Sequence, residues 1–263
     1  MGKLTKKRLF LLDMDGTIYL DDVLFDGTLD FLRKIKEIGG RYLFLTNNSS
    51  KGAQAYVEKL KRIGIESTVD DFLTSTNATV MYINSNHPGK KFYAMGTKSF
   101  VDELRASGIT AVTDVEDDIF GVVISNDTEL NFKKLNDVSY LLTKGVDEYI
   151  ATNPDWVCPT SYGYVPDCGS FAQILATATG KKPKFIGKPQ PQMLYTAMEK
   201  SGFSKEETVM IGDRLYTDIA SGCNAGVDTV FVLSGEGTLE DAKNSEIKPT
   251  FIMKNIREAF NEI

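Results

Sequence analysis

The chain has 263 residues, of which 42% are hydrophobic and 25% are charged, as in ordinary folded proteins. Its net charge of −6 argues against nucleic acid or an anionic membrane as the main partner. The apolar runs are too short for a signal-peptide core or a membrane span, so neither secretion nor membrane insertion is expected.

The first predicted element is a short strand that ends in two carboxylates. Residues 8–12 are largely apolar, which is typical of a strand buried on both faces inside a parallel sheet. Asp13 and Asp15 follow it, and Gly16 permits a sharp turn. Ligands bind beyond the carboxyl ends of strands in open α/β sheets. We therefore predict Asp13 as a nucleophile and Asp15 as its acid–base partner; the alternative is a polar strand end and a turn.

Strand and helix patterns alternate through the first part of the chain. A helix is predicted within 25–40, a strand over 41–45 and a helix over 53–63, which together indicate a right-handed, doubly wound unit. Thr46 and Asn47 follow the second strand. They either form a cap and turn, or aim a hydroxyl and a backbone amide at a phosphate oxygen.

The middle of the chain has an alternation of its own. A helical stretch at 76–83 leads into it. Within 91–180 we predict strands at 92–95, 120–125 and 148–152, and helices at 99–107, 132–143 and 170–179. This block could bury a separate core, so it is predicted as an inserted domain at 81–181, between core segments 1–80 and 182–263. The irregular, aromatic stretch Asn153–Ser170 is the candidate for substrate contact. Exposed strand edges in the insert could pair two chains as a homodimer.

The first pattern resumes after residue 183. A short apolar piece at 185–186 leads to Lys188, which is either a surface lysine or a cation that neutralises a phosphoryl group. A helix at 192–201 and strands at 208–211 and 229–233 follow. Asp213, after the strand at 208–211, is predicted as a metal ligand rather than a helix cap, and Asp218 as a ligand or a residue that orients one.

The polar ends of these strands converge, because parallel strands share one carboxyl edge. Carboxylates crowded there repel, and a divalent cation is the usual way to keep them ionised. Mg²⁺ suits oxygen ligands and is often completed by a substrate phosphate. The aspartates would hold a cation, and the Thr46 hydroxyl and Lys188 would hold an anion. Together they predict a site for a phosphoryl group beside a divalent cation.

The cysteines and the histidine argue against some kinds of metal site and catalytic site. The three cysteines, Cys158, Cys168 and Cys223, lack metal-site spacing and indicate reduced thiols in a cytoplasm. The single histidine, His87, lies in a polar, turn-like stretch and is predicted to be an exposed loop residue. A histidine-based dyad or a zinc site is therefore nearly excluded.

Four segments, in this order, resemble the four motifs of the haloacid dehalogenase-like (HAD) phosphohydrolases. They are Leu12–Thr17, Leu45–Asn48, Gly187–Pro189 and Gly212–Asp218. The insert, with Ala151-Thr152-Asn153-Pro154-Asp155, resembles the α/β cap of the branch that contains NagD-like and 4-nitrophenylphosphatase-like enzymes. The resemblance implies an α/β fold, with a doubly wound, Rossmann-like parallel-sheet core and an inserted α/β cap.

The resemblance also implies a reaction. Asp13 would attack phosphorus and become an aspartyl-phosphate, while Asp15 would protonate the leaving alcohol and then activate water. Mg²⁺ would be held by the Asp13 carboxylate, the Asp15 backbone carbonyl and the Asp213 carboxylate, with Asp218 in support. The implied phosphoryl-binding residues are Thr46, Asn47 and Lys188.

Two other functions remain open from the sequence. A phosphomutase or phosphotransferase would use the same aspartyl-phosphate and pass it to an organic acceptor. A phospho-acceptor or phospholigand-binding protein would not turn over, but a second carboxylate beside the nucleophile would shorten the life of an acyl phosphate. The substrate is equally open among nucleoside monophosphates, sugar phosphates and similar esters, with 4-nitrophenyl phosphate as an artificial substrate.

Overall fold

The computed structural model describes residues 2–160 and 162–263. Within these ranges no helix is long and apolar enough to cross a membrane. The described strands are β1 (Leu9–Leu12), β2 (Tyr19–Leu20), β3 (Val23–Leu24), β4 (Arg41–Thr46), β5 (Phe72–Thr74), β6 (Lys91–Met95), β7 (Thr110–Val112), β8 (Gly121–Ile124), β9 (Glu148–Ala151), β10 (Val157–Thr160), β11 (Gly163–Pro166), β12 (Lys184–Phe185), β13 (Thr208–Gly212), β14 (Asp228–Val232) and β15 (Phe251–Met253). The described α-helices are α1 (Thr28–Glu37), α2 (Ala53–Arg62), α3 (Ser75–Asn86), α4 (Lys98–Ala106), α5 (Phe132–Lys144), α6 (Cys168–Thr179), α7 (Gln192–Ser201), α8 (Ala220–Ala225), α9 (Leu239–Asn244) and α10 (Ile256–Asn261).

The chain divides into two compact units. The first contains the residues up to Thr46, Ala53–Leu73 and Lys188–Ile263. The second contains Asn47–Gly52 and Thr74–Gly187. The second unit therefore begins before the insert predicted at 81–181, because it includes all of α3, and it also takes in a short segment directly after β4.

The first unit is built on a six-stranded sheet in the order β15-β14-β13-β1-β4-β5. The pairs from β15 to β4 are all parallel. The chain runs outward from β1 through β4 to β5, and then resumes at β13 on the other side of β1. The strand order reverses between β1 and β13, which is where ligands bind in doubly wound sheets. This confirms the predicted α/β fold with a parallel sheet.

The central strand β1 is completely buried, and its apolar sequence explains why. All four of its residues have 0% exposure, as expected for a strand covered on both faces. On one face Phe10 packs edge-to-face against Phe31 of α1, with ring centroids 5.6 Å apart. This packing fixes the strand whose end carries Asp13.

The second unit has its own parallel sheet in the order β12-β9-β8-β6-β7. Strand β12 pairs with β9, so the apolar piece predicted at 185–186 as part of the resumed core pattern lies in this sheet instead. A two-residue strand carries too little pattern to indicate which sheet it joins. The irregular stretch Asn153–Ser170, predicted for substrate contact, contains the antiparallel pair β10–β11, with Trp156, Tyr162 and Tyr164 exposed nearby; Ser161 lies outside the described residues.

The segment Asn47–Gly52 is fixed to the carboxyl ends of the second sheet by hydrogen bonds. Ser49 Oγ lies 2.8 Å from Thr152 Oγ after β9, and it accepts a bond of 2.9 Å from the Asn126 amide after β8. Thr97 Oγ, after β6, donates to the Ser50 carbonyl at 3.0 Å. Three neighbouring strand ends therefore hold this segment.

His87 differs from its prediction. Helix α3 extends beyond the predicted 76–83 and places His87 at its C-cap, with Nε2 3.1 Å from a Glu148 oxygen. The imidazole also packs against Phe120, with ring centroids 5.0 Å apart. Its side chain is only 18% exposed, so the prediction of an exposed loop residue is wrong.

The three cysteines are free thiols.

Candidate active site

Three strand ends bring the predicted residues to one edge of the first sheet. Leu12 of β1 lies opposite both Phe44 of β4 and Ile211 of β13 in parallel register. Asp13 follows Leu12, and Asp213 follows the end of β13 on the other side of the reversal in strand order. The sheet thus brings together residues that are far apart in the sequence.

Lys188 lies at the centre of this edge. Its Nζ donates to Asp13 Oδ1 at 2.7 Å, to Asp218 Oδ1 at 2.6 Å and to the Leu45 carbonyl at 3.2 Å. Burial opposes its charge, but Asp13 and Asp218 outweigh that effect, so the pKa of Lys188 lies above its ordinary value. Only 2% of the side chain is exposed, which excludes the surface-lysine alternative.

Asp13, Asp213 and Asp218 form an acidic cluster. One carboxylate oxygen of each lies within 4.8 Å of the others. Burial, and then the charge of Asp218, raise the pKa of Asp213 to about 6. The same two causes, in the same order, raise the pKa of Asp13 well above its ordinary value, although Lys188 acts in the opposite direction. Without a metal ion, the positive charge of Lys188 therefore does not compensate the negative charge of these carboxylates.

The donor set fits a hard divalent cation such as Mg²⁺. Asp213 Oδ1 is buried and has no hydrogen-bond partner among the described residues, so one ligand oxygen is left to a cation. Asp218 differs, because Oδ1 accepts from Lys188 and Oδ2 accepts from the Arg214 amide at 3.1 Å. Asp218 is therefore placed to orient Lys188 as well as to add negative charge. Its predicted part as a metal ligand, or as a residue that orients one, stays a prediction.

The Asp213 carboxylate lies close to the backbone of Gly16, Gly235 and Glu236. The Glu236 amide donates to its Oδ2 at 2.7 Å. A Cβ added at Gly16 would lie 2.4 Å from that oxygen, and one added at Gly235 only 2.0 Å from it. Gly16 also has a φ of +83°, which favours glycine. Both glycines are thus required for the carboxylate to occupy this position.

Asp15 lies outside the acidic cluster, with its side chain 47% exposed. Tyr19 donates its hydroxyl to Asp15 Oδ2 at 3.2 Å, and Lys59 Nζ lies 3.4 Å from Oδ1. Burial, and then the nearby Asp15 charge, raise the pKa of Tyr19 far above its ordinary value. The part in metal binding predicted for Asp15 concerns its backbone carbonyl and stays a prediction.

Thr46 and Asn47 are consecutive in sequence but belong to different units. Thr46 is the buried last residue of β4. In the second unit, the Asn47 carbonyl accepts bonds from Ser75 Oγ at 2.6 Å and from Asn153 Nδ2 at 2.7 Å. Asn47 Nδ2 donates to the buried Asp155 at 3.3 Å. The phosphoryl-binding roles of Thr46 and Asn47 remain predictions.

Comparison with known proteins identifies the family. A haloacid dehalogenase-like hydrolase model matches residues 10–110, and a HAD-hydrolase-like model matches residues 185–259. An acid sugar phosphatase of Staphylococcus aureus (strain MRSA252) is 35% identical over 256 residues, covering 97% of this chain and 98% of that protein. The chain belongs to the haloacid dehalogenase-like hydrolase family. This HAD hydrolase is a phosphatase by class, which confirms the resemblance found in the sequence.

Solved structures resemble this HAD phosphatase over nearly its full length. A 4-nitrophenylphosphatase from Thermotoga maritima is 42% identical with a TM-score of 0.92, and the match covers 98% of each chain. A glycerol phosphate phosphatase from Mycobacterium tuberculosis, in complex with magnesium, is 29% identical with a TM-score of 0.91. That match covers 98% of this chain and 78% of the mycobacterial one.

Four residues around the site of this HAD phosphatase were missed by sequence reasoning. Tyr19 and Lys59 contact Asp15, while Gly235 and Glu236 enclose Asp213. Gly235 carried a weak signal, because the predicted strand at 229–233 is followed by Ser234 and then by this glycine. Lys59 carried none, since the amphipathic helix predicted at 53–63 has two lysines, Lys59 and Lys61, and the pattern does not distinguish them.

Proposed function

We propose that this HAD phosphatase is an Mg²⁺-dependent phosphomonoester hydrolase that works through an aspartyl-phosphate on Asp13. One observation carries the proposal: the Asp13 carboxylate lies 2.7 Å from the buried Lys188 ammonium, within a cluster of three carboxylates. A nucleophile beside a fixed cation and a cation-binding acidic cluster suits attack on a dianionic phosphoryl group.

In this proposal the protein's own residues carry the reaction. Asp13 attacks phosphorus as the bond to the leaving oxygen breaks, and Asp15 gives that oxygen its proton. Water then attacks the aspartyl-phosphate and passes a proton to Asp15, which regenerates the Asp13 carboxylate and releases inorganic phosphate. Lys188, Thr46 and Asn47 hold the phosphoryl oxygens and offset their charge.

The metal ion would be held by the carboxylates of Asp13 and Asp213 and by the Asp15 backbone carbonyl, with Asp218 in support. When bound, Mg²⁺ would neutralise charge on the phosphoryl oxygens and on the acidic cluster. The unpartnered, buried oxygen of Asp213 and the raised pKa of Asp213 support this arrangement. The magnesium complex of the mycobacterial relative supports Mg²⁺ as the ion, without bearing on which residues hold it.

We propose small phosphorylated metabolites as substrates, in particular sugar phosphates and other alkyl phosphates. The support is the acid sugar phosphatase and glycerol phosphate phosphatase names of the relatives. The three free thiols support a reducing, cytoplasmic setting.

The test is release of inorganic phosphate from a panel of phosphomonoesters, with Mg²⁺ or with EDTA. The panel contains sugar phosphates, glycerol 3-phosphate, nucleoside monophosphates and 4-nitrophenyl phosphate. Asp13→Asn is the informative variant, and Asp70→Asn, at an exposed position of the same unit, is the matched control. We expect Mg²⁺-dependent release that Asp13→Asn abolishes and Asp70→Asn retains.

Two results would count against the proposal. Failure to release phosphate from any ester in the presence of Mg²⁺ would overturn it altogether. Release that requires an added alcohol or sugar acceptor, with the phosphoryl group recovered on that acceptor, would instead identify a phosphotransferase.

A further inference from the structure

The Asp15 carboxylate is contacted on both of its oxygens by residues that no motif includes. Tyr19 donates to Oδ2 at 3.2 Å, and the Lys59 ammonium lies 3.4 Å from Oδ1. Tyr19 is 0% exposed, so its hydroxyl cannot turn to water, whereas 24% of the Lys59 side chain is exposed. The two contacts are therefore unequal: one is a fixed donor and the other an adjustable cation.

The two residues also support each other. Lys59 Nζ lies 4.0 Å from the centroid of the Tyr19 ring, within the range of a cation–π interaction. The Tyr19 backbone is fixed as well, because its carbonyl accepts a 2.8 Å bond from the Gly16 amide. Helix α2 supplies Lys59, while Tyr19 starts the short hairpin β2–β3. Asp15, Tyr19 and Lys59 thus form one packed group.

A half-exposed aspartate needs such support to act on a leaving group. Its side chain can rotate freely unless neighbours restrict it, and small errors in the position of a proton donor are costly in rate. The groups that face Asp15 are a phenol and an ammonium, and both donate to it. These two contacts, one to each oxygen, therefore fix the orientation of the Asp15 carboxylate.

We propose that Tyr19 and Lys59 are positioning residues for Asp15, which hold its carboxylate toward the leaving-group oxygen. This inference rests on the proposed function and deepens it, because it concerns only the step in which a proton reaches the leaving group. Substitution of Tyr19 or Lys59 should therefore lower the rate most for substrates whose leaving group most needs that proton.

Two aryl esters of nearly equal shape provide the test. The phenolate released from phenyl phosphate resembles tyrosinate, with an ordinary pKa of about 10, and needs protonation much more than the strongly stabilised 4-nitrophenolate. The value of kcat/KM reports the phosphoryl-transfer step for both esters. We expect Tyr19→Phe and Lys59→Met to lower kcat/KM with phenyl phosphate about tenfold more than with 4-nitrophenyl phosphate.

The chain offers a matched control pair. Lys36 Nζ lies 5.1 Å from the centroid of the Tyr42 ring, so it is a second lysine resting on a buried tyrosine in the same unit. Tyr42→Phe and Lys36→Met should change both esters equally or not at all. Lys59→Arg should restore part of the selective loss, since it keeps the charge.

A double-substitution measurement tests whether the effect passes through Asp15. In the Asp15→Asn background, Tyr19→Phe and Lys59→Met should have no further selective effect. Equal losses on both esters, or a selective loss that persists without Asp15, would overturn the positioning role while leaving the proposed function intact. Absence of Mg²⁺-dependent release from both esters by the unmodified protein would overturn the proposed function and this inference together.

Discussion

Lys188 and Asp218 form a buried ion pair, with Nζ and Oδ1 2.6 Å apart and side chains 2% and 1% exposed. Lys188 also contacts Asp13, so a single ammonium offsets two carboxylates. Taking such charges out of water is costly, and removing one partner leaves the others without compensation. The pair therefore links the charges of the candidate site to the stability of the first unit.

We expect Lys188→Met to lower the free energy of unfolding by about 3–5 kcal/mol at pH 8 in EDTA. This loss in the free energy of unfolding should become smaller toward pH 5. Asp13 and Asp213 already have raised pKa values, and they are protonated more readily once the Lys188 ammonium is removed. Lys188 itself stays charged in the folded and unfolded states over this range, since its folded pKa is raised. Urea unfolding at both pH values, with the exposed Lys182→Met as control, provides the measurement; a loss independent of pH would contradict this account.

Asp213→Asn should stabilise the metal-free protein. A carboxyl whose folded pKa is about 6 disfavours the folded state once it ionises, so stability falls as pH rises from about 4 to about 6. The amide removes this penalty, which is worth about 1–3 kcal/mol above pH 6. In EDTA at pH 8 we expect a higher Tm for Asp213→Asn than for the unmodified protein, and with Mg²⁺ a smaller rise in Tm on adding the ion. A lower Tm in EDTA would show that Asp213 stabilises the fold.

Gly235→Ala should damage the site more than the fold. The new Cβ would lie 2.0 Å from Asp213 Oδ2 and must displace that carboxylate. A displacement of about 1 Å can cost on the order of a hundredfold in rate. We expect kcat to fall at least tenfold and Mg²⁺ to bind more weakly, as titration calorimetry would show. Gly52→Ala is the control, because its Cβ would meet only the end of the Glu103 side chain, at 3.3 Å.

Ser49→Ala tests the attachment of Asn47–Gly52 to the second sheet. Loss of the hydroxyl leaves the Asn126 amide and the Thr152 hydroxyl without this partner in a buried place, at a cost of about 1–3 kcal/mol. Hydrogen exchange of the Asn126 amide should become faster, while Ser99→Ala, at an exposed helix position, should leave it unchanged. An unaltered Asn126 exchange rate in Ser49→Ala would contradict the assigned contact.

Much of the first sheet was predictable, because its strands are short apolar runs followed by polar residues. Strands β1, β4, β13 and β14 lie within a residue or two of their predicted positions. Strands β5, β7 and β15 were not predicted, since each has only three residues and shows too little alternation to be distinguished from a loop. The strand order had to come from the structure.

The residues of the acidic cluster were predicted more completely than the residues that contact the site around it. Asp13, Asp213 and Asp218 do come together, because parallel strand ends share an edge. Sequence patterns report which residues are apolar and where strands stop, but not which side chains meet after a turn. The contacts of Asp15 with Tyr19 and Lys59 depend on such turns, so they could not be predicted.

The second unit is discontinuous in the sequence, and this has a consequence for protein engineering. A chimera that exchanges only residues 81–181 would divide α3 and would leave the parental Asn47–Gly52 beneath foreign strand ends. Ser49, Asn126 and Thr152 would then come from different parents. A chimera that exchanges the whole second unit between relatives should therefore carry 47–52 together with 74–187 as one cassette.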